Sequence, residues 1–270
     1  MPNYLCTTCG TQFAESAQPP PACTICEEER QYLKPAGQDW TTHDRLVFTH
    51  RNSLKLEETG LLGIGVEPMF AIGQRALLVR SPGGNVLWDC VSLIDEAIVE
   101  AVQGLGGLAA IAVSHPHYYT SMVEWSRAFG GVPIYLHADD RQWVMWPDPA
   151  IVLWEGDLRP LVDDLTLVRC GGHFDGGTVL HWAGGAGGQG ALLSGDIVAV
   201  TADRKRVTFM YSYPNYIPLP AAAIERIAAA VRPLEFDRIY GAFWDRVLER
   251  DAKAAVEESV QRYLRAIGAG

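Results

Sequence analysis

Two histidines one residue apart, His115 and His117, fall in the stretch AVSHPHYYT at Ala112–Thr120. The run leading to them, GLAAIAV at Gly107–Val113, is bounded by glycines and then by Ser and Pro, and reads as a buried strand of an α/β sheet. Alternate residues of an extended segment face the same way, so an H-x-H pair at a strand end can aim two imidazoles at one point. Neutral imidazoles so placed suit a divalent transition metal, although the pair alone fits a structural role equally well. A second set of ligand-type residues opens the chain: Cys6, Cys9, Cys23 and Cys26 form C-x2-C-x13-C-x2-C. Thiolates on two tight knuckles can close a tetrahedral zinc site that holds a segment too short for a core of its own, and four protein ligands leave no position open for chemistry.

Further candidates follow in order. His173 lies in CGGHFDGGTVLHW, a glycine-rich turn entering an apolar strand, and Asp196 ends the strand of ALLSGDIV. A histidine pair, a single histidine in a glycine turn and an aspartate after a strand resemble the metallo-β-lactamase fold superfamily. The resemblance runs from about Asp44 to the C-terminus and includes GNVLWDC at Gly84–Cys90, which is similar to the family's early strand ending in aspartate. It implies a four-layer αββα sandwich with the metal at one edge, and places Asp89 beneath the pocket, fixing the loop that carries the histidines; capping the following helix is its other reading. The cysteine segment resembles a zinc ribbon or rubredoxin-like knuckle. The expected organisation is a four-cysteine zinc ribbon and linker over 1–38, and a metallo-β-lactamase-like domain over 39–270.

Two departures from the family pattern H-x-H-x-D-H shape the functional expectation. Tyr119 and Thr120 stand at its last two places, and no histidine follows His181, where the family's final ligand would fall near IYGAFWD. The resemblance then implies His115, His117 and His173 as metal ligands, with Asp196 as a fourth ligand or as the group that orients water, and Tyr119 as a catalytic donor to a developing oxyanion. The expected activity is a zinc-dependent hydrolase of an ester, thioester, lactone or amide, using a metal-bound hydroxide at a reduced, mononuclear site. The alternatives are a non-catalytic metal-binding protein or interaction module, in which the histidine site is vestigial, and an iron-dependent oxidoreductase.

The whole chain narrows the classes. At 270 residues, 48% hydrophobic and 20% charged, it has the composition of a globular protein with one large domain and a small appendage. The formal charge of −10 argues against nucleic acid or an anionic membrane as partner, which leaves a small-molecule substrate and allows a homodimer. No apolar run reaches the roughly 20 residues of a membrane span. MPNYLCTTCG has neither a basic leader nor an apolar core, so a cytoplasmic location is expected, where paired C-x-x-C motifs bind metal rather than form disulfides. Cys90 and Cys170 are expected as buried small residues.

The intervening elements are expected as follows. RLVFTH reads as a strand, QRALLVRS and GNVLWDC as a hairpin, Leu93–Gln103 as a helix, MVEWSRAFGG as a helix, and VPIYLH as a strand followed by a helix from ADDRQWVMW. A long closing helix is expected from WDRVLERD onward, N-capped by Asp245 and carrying a Glu249–Lys253 pair, with Asp245 as an alternative oxygen ligand. His50, His137 and His181 are read as structural. Trp143, Trp146 and Trp154 could line a cleft or fill a core, and Tyr211, Tyr213 and Tyr216 are placed near the pocket mouth.

Overall fold

Strand alternation sorts the apolar side chains into three layers. In the computed structural model, which describes residues 1–269, the N-terminal module comprises β1 (Tyr4–Cys6), a one-turn α1 (Thr24–Glu27) and β2 (Trp40–Thr42), followed by α2 (His43–Thr49). The first large sheet holds β3 (Arg51–Glu58), β4 (Leu61–Glu67), β5 (Ala76–Val79), β6 (Val86–Trp88), β7 (Ala110–Ala112), β8 (Ile134–His137) and β9 (Ile151–Trp154), in that order, with α3 (Glu96–Gly104) and α4 (Met122–Ala128) between strands. The second holds β10 (Leu158–Pro160), β11 (Leu165–Arg169), β12 (Thr178–Trp182) and, after α5 (Gly185–Gly188), β13 (Ala191–Gly195), joined past two small hairpins β14 (Ala199–Val200)/β15 (Val207–Thr208) and β16 (Met210–Ser212)/β17 (Ile217–Pro218) and α6 (Ala221–Val231) by β18 (Arg238–Gly241) and β19 (Val247–Leu248); α7 (Ala252–Ala266) is the last helix.

Leu77, Val79, Val86, Trp88, Ala110 and Ala112 meet Leu165, Leu167, Leu180 and Leu193 between the two sheets. Their neighbours Leu78, Leu87 and Ile111 face outward to α3 and α4, and Val168, Val179 and Leu192 face outward to α6 and α7. Because side chains alternate along each strand, every central strand is buried on both faces. The result is the αββα sandwich. α6 contributes Ile224, Ile227, Ala228 and Val231, an i, i+3, i+4, i+7 stripe, which is why a short alanine-rich segment is held as a helix. Among the described residues no helix is long and apolar enough to cross a membrane.

The pairing is antiparallel except for β6 to β9 in the first sheet and β13/β18 in the second. Asp89, the His115–His117 segment, Asp196 and the loop after Gly241 therefore all emerge from the carboxyl ends of parallel-paired strands, at one edge of the sandwich.

Two local expectations are corrected, and a third, the helix from ADDRQWVMW, is met in 3-10 form. RLVFTH is helical from His43 to Thr49 and buries only Leu46, leaving Phe48 82% exposed. The sheet edge there is taken by β3, and β-branched residues without a partner strand do not make a strand. The segment from Ala138 to Trp143 is a 3-10 helix. The closing helix begins only at Ala252, because β19 pairs with β18 just before it; Asp245 is exposed beside Lys55, and Lys253 pairs with Glu235 at 2.7 Å rather than with Glu249.

The loop after β18 is pinned from β4 and β5. Trp244 lies against Gly63 and Gly65, where a Cβ on Gly65 would come within 2.6 Å of the indole. Beside it the buried Arg75 guanidinium meets Glu57 at 2.8 Å and donates to the Gly241 carbonyl at 3.1 Å. Gly65→Ala should therefore cost about 1–3 kcal/mol through overpacking, read as a lower urea midpoint at unchanged m-value. Gly104→Ala, at a position with nothing within 4 Å, should cost nothing; equal effects of the two would refute the indole slot.

Candidate metal centre

His115, His117, His173 and Asp196 bring one ligating atom each to within 4.8 Å of all the others, and all four are buried. His115 Nε2 stands 3.7 Å from Asp196 Oδ2, and His173 Nε2 stands 3.3 Å from His117 Nδ1. The surroundings fix two of the tautomers. Asp89 Oδ1 accepts from the Ser114 backbone N–H at 2.8 Å and from the Ser114 hydroxyl at 2.7 Å. Having donated its proton there, the Ser114 oxygen accepts from His115 Nδ1–H at 2.8 Å, which leaves the Nε2 lone pair facing the cluster. His173 Nδ1 faces the carbonyls of Met210 and Tyr211 at 3.1 and 2.9 Å; carbonyls only accept, so its Nε2 lone pair is likewise free.

Burial, reinforced by the neighbouring imidazoles and Arg30, holds His115 and His117 well below the ordinary imidazole range. Burial brings His173 down to about 4. All three are thus neutral at physiological pH, the state that binds metal. Asp196 is pushed up to about 6 by burial, against the pull of the Tyr118 hydroxyl, which donates to Oδ2 at 2.6 Å. Tyr213 donates to the Asp196 backbone oxygen at 2.9 Å. His115 Nε2 and His117 Nε2 have no hydrogen-bond partner although buried. Lone pairs and a carboxylate gathered away from water are costly unless a cation joins them, and three nitrogens with one oxygen are a donor set for a divalent transition metal.

The four cysteines form the other cluster. Cys6 and Cys26 sulfurs lie 3.6 Å apart, as do those of Cys9 and Cys23. That is too far for a bond of about 2.05 Å and close to the edge of about 3.8 Å of a tetrahedron with metal–sulfur arms of about 2.3 Å. Burial pushes the Cys9 thiol up, and a bound metal would displace its proton. Thr8 N–H and Gln38 Nε2 point at Cys6 Sγ at 3.4 and 3.2 Å, as donors do toward a thiolate.

Of the residues singled out in the sequence, the four cysteines, the three histidines and Asp196 gather into these two clusters. Tyr119 does not join them. Its side chain is buried in the core beneath α3 and α4, and the phenol at the site is that of Tyr118. The 3-10 turn Pro116–Tyr118 explains the difference, since extended alternation does not continue past His115. Asp89 braces the histidine loop, and the cap of α3 is Asp95. His137 bonds the Gly156 carbonyl and His181 that of Glu235, both away from the site. Trp146 and Trp154 fill cores, and Trp143 packs on Phe174. Tyr211 donates to Glu28, and Tyr216 is exposed. Ser114 and Arg30 were not legible as site residues: a serine beside a histidine has no distinctive spacing, and Arg30 arrives from a remote segment.

No family model matches the chain. The Bacillus subtilis (strain 168) protein YmaE, itself uncharacterised, is 51% identical over 269 residues, covering 99% of this chain and 97% of the relative. The chain belongs to the YmaE family. Solved structures extend this to the fold: the DIM-1 metallo-β-lactamase superposes with a TM-score of 0.59 at 12% identity, covering 80% of this chain and 98% of that one. FIM-1 from Pseudomonas aeruginosa, a metallo-β-lactamase solved in a mono-zinc form, gives 0.56 at 15% identity, covering 80% and 96%. This YmaE family member has the metallo-β-lactamase fold, with a four-cysteine knuckle at its N-terminus.

Asp140 braces the turn carrying His173 by accepting from Gly176 N–H at 2.9 Å, and burial pushes its carboxyl up to about 7. The folded state therefore holds a proton that the unfolded chain releases from about pH 4 upward, and stability falls as pH rises through about 7. Asparagine keeps the acceptor without the charge. Asp140→Asn should match the wild type near pH 4 and exceed it by about 1–3 kcal/mol at pH 8, below a ceiling of about 4 kcal/mol; a difference independent of pH in urea titrations would refute the buried carboxylate.

Proposed function

We propose that this YmaE family member is a zinc-dependent hydrolase of a small ester, thioester, lactone or amide. The observation that carries the reading is the convergence of three neutral imidazoles, two of them with fixed tautomers, and one carboxylate beside a cavity of about 560 Å³. His117, His173 and Asp196 line it together with Ile72, Phe243 and Trp244, so a substrate's apolar part is accommodated beside the ligands. When bound, the metal supplies a Lewis acid for a carbonyl oxygen and lowers the pKa of a water to about 7.

The chain's own residues divide the remaining work. Ser114 and the 210–211 carbonyls hold His115 and His173 in the ligating tautomer. Tyr118 fixes the Asp196 carboxylate, leaving it as a fourth ligand or as the acceptor that orients the attacking water. Among the described residues only this cluster and the four cysteines group three or more metal-ligating side chains, which favours one metal at each. A mono-zinc form of FIM-1, a neighbour in fold, lends support. The cysteine site, with every ligand a thiolate, is read as structural zinc. The six free cysteines favour a reducing, cytoplasmic setting.

Elemental analysis of the purified protein should give two zincs per chain, falling to one in His115→Ala/His117→Ala. Turnover of a panel of esters, thioesters and lactones should fall about a hundredfold or more in His117→Ala. Two zincs with no turnover across the panel would favour a non-catalytic protein, and iron in place of zinc would favour redox chemistry.

A further inference from the structure

We propose that the four-cysteine module is a working part of the histidine centre: Arg30 is a positioning residue for His173, and metal at the cysteines raises the affinity of the histidine site for its own metal. The proposal rests on both clusters binding metal, as read above, and not on hydrolysis.

The module touches segments that flank the His115–His117 turn, Asp89 and His173. Gln12 N–H donates to the Thr120 carbonyl at 3.1 Å, just past the His115–His117 turn, and Ser92, next to the strand end that supplies Asp89, donates to the Gly10 carbonyl at 2.9 Å. Gly10 has a left-handed backbone, and a Cβ there would meet the Ser92 hydroxyl at 2.3 Å, so this seam closes only on glycine. Asn215 donates to the carbonyls of Glu29 and Gln31 at 2.7 and 3.1 Å, tying the module to the loop whose Met210 and Tyr211 carbonyls set the His173 tautomer.

Arg30 concentrates the contact. It is four residues past Cys26, on the segment that leaves α1. Its Nε and backbone N–H both bond Glu28 Oε2, at 2.7 and 2.8 Å, while Glu28 Oε1 accepts from the Tyr211 hydroxyl at 3.3 Å. Its Nη1 donates to the His173 carbonyl at 3.1 Å, and its guanidinium carbon lies 3.9 Å from the centroid of the Phe174 ring. Phe174 in turn packs against the rings of His115, His117 and His173, with centroids 5.6, 4.9 and 5.2 Å away. The fork and the stack both need a planar guanidinium, which lysine lacks.

The module has little else to hold it. Its buried cluster consists of the four cysteines and Ile25, fringed by Phe13, Trp40, Trp143 and Met145. A core made of thiols is ordered by the ion they bind. Metal at the cysteines therefore seats Arg30, Arg30 seats His173 and Phe174, and the ligands are held before their own metal arrives. Such coupling is reciprocal by linkage.

Zinc affinity at each site of the full chain, measured by competition with chromogenic chelators, tests this without any substrate. Arg30→Ala should keep the cysteine zinc and weaken the histidine site by about 10–100-fold, the usual range for residues behind metal ligands. Arg30→Lys should fall short of full rescue, and Cys6→Ser/Cys23→Ser should weaken the histidine site at least as much as Arg30→Ala. By reciprocity, His115→Ala/His117→Ala should weaken zinc at the cysteines. Histidine-site affinity within about twofold of wild type in Arg30→Ala, or unchanged in the cysteine variant, would overturn the proposal even if the enzyme turns over esters. Should Arg30→Ala lose the cysteine zinc, Arg30→Lys and the cysteine variant decide on the same criterion. Coupled zinc sites without turnover would uphold this inference and sink the hydrolase reading alone.

Discussion

The structure depends on one unfavourable act: lone pairs of like character are gathered on largely buried side chains at the wall of a cavity. His115 Nε2 and His117 Nε2 are left without partners, and the Asp196 carboxylate stands within 3.7 Å of an imidazole nitrogen that has no proton to give it. Nothing local stabilises that arrangement. It persists because three of the four groups are gripped from behind: Asp89 through Ser114 holds His115, two carbonyls hold His173, and the Tyr118 phenol holds Asp196. The cost at the centre is the reason the shell around it is so fully bonded.

The grip works only if its parts arrive from separate elements in register. Asp89 and His115 come from neighbouring parallel strands in which Trp88 stands opposite Ala112, while Asp196 comes from the other sheet, where Leu193 stands opposite Tyr240. The inter-sheet core of Trp88, Ala112, Leu193 and Tyr240 thus sets the distance between the ligands. A one-residue slip on either sheet would turn those side chains outward and carry the ligand away with them. Core and site are in this sense the same constraint expressed on alternate residues.

That constraint explains what could be read from the sequence. His115, His117, His173 and Asp196 were legible because each ends an apolar strand or enters one, so periodicity and ligand chemistry coincide. The cysteine knuckles were legible from spacing alone. Tyr118 was passed over for Tyr119 because Tyr119 stands at the aspartate place of the family pattern, and which of the two phenols meets Asp196 turns on a single 3-10 turn. The helix at His43–Thr49 was missed because its residues favour strands and only the occupied sheet edge excludes them. The late start of α7 depends on a two-residue strand that periodicity is too short to reveal.

The seam between the module and the sandwich also bears on the order in which the chain is made. The cysteine segment leaves the ribosome before the sandwich, yet the seat of Arg30 is 143 residues further on, and the Asn215 bonds that anchor Glu29 and Gln31 span 186 and 184 residues. Contacts so distant in sequence form late, since the loop they close must first be synthesised and folded. On the reading that the cysteines bind zinc, the nascent module would take its metal before its eventual partner exists. The histidine centre, by contrast, is assembled only once both sheets have been made, so a metal bound there would join after its ligands from His115 to Asp196 had been synthesised.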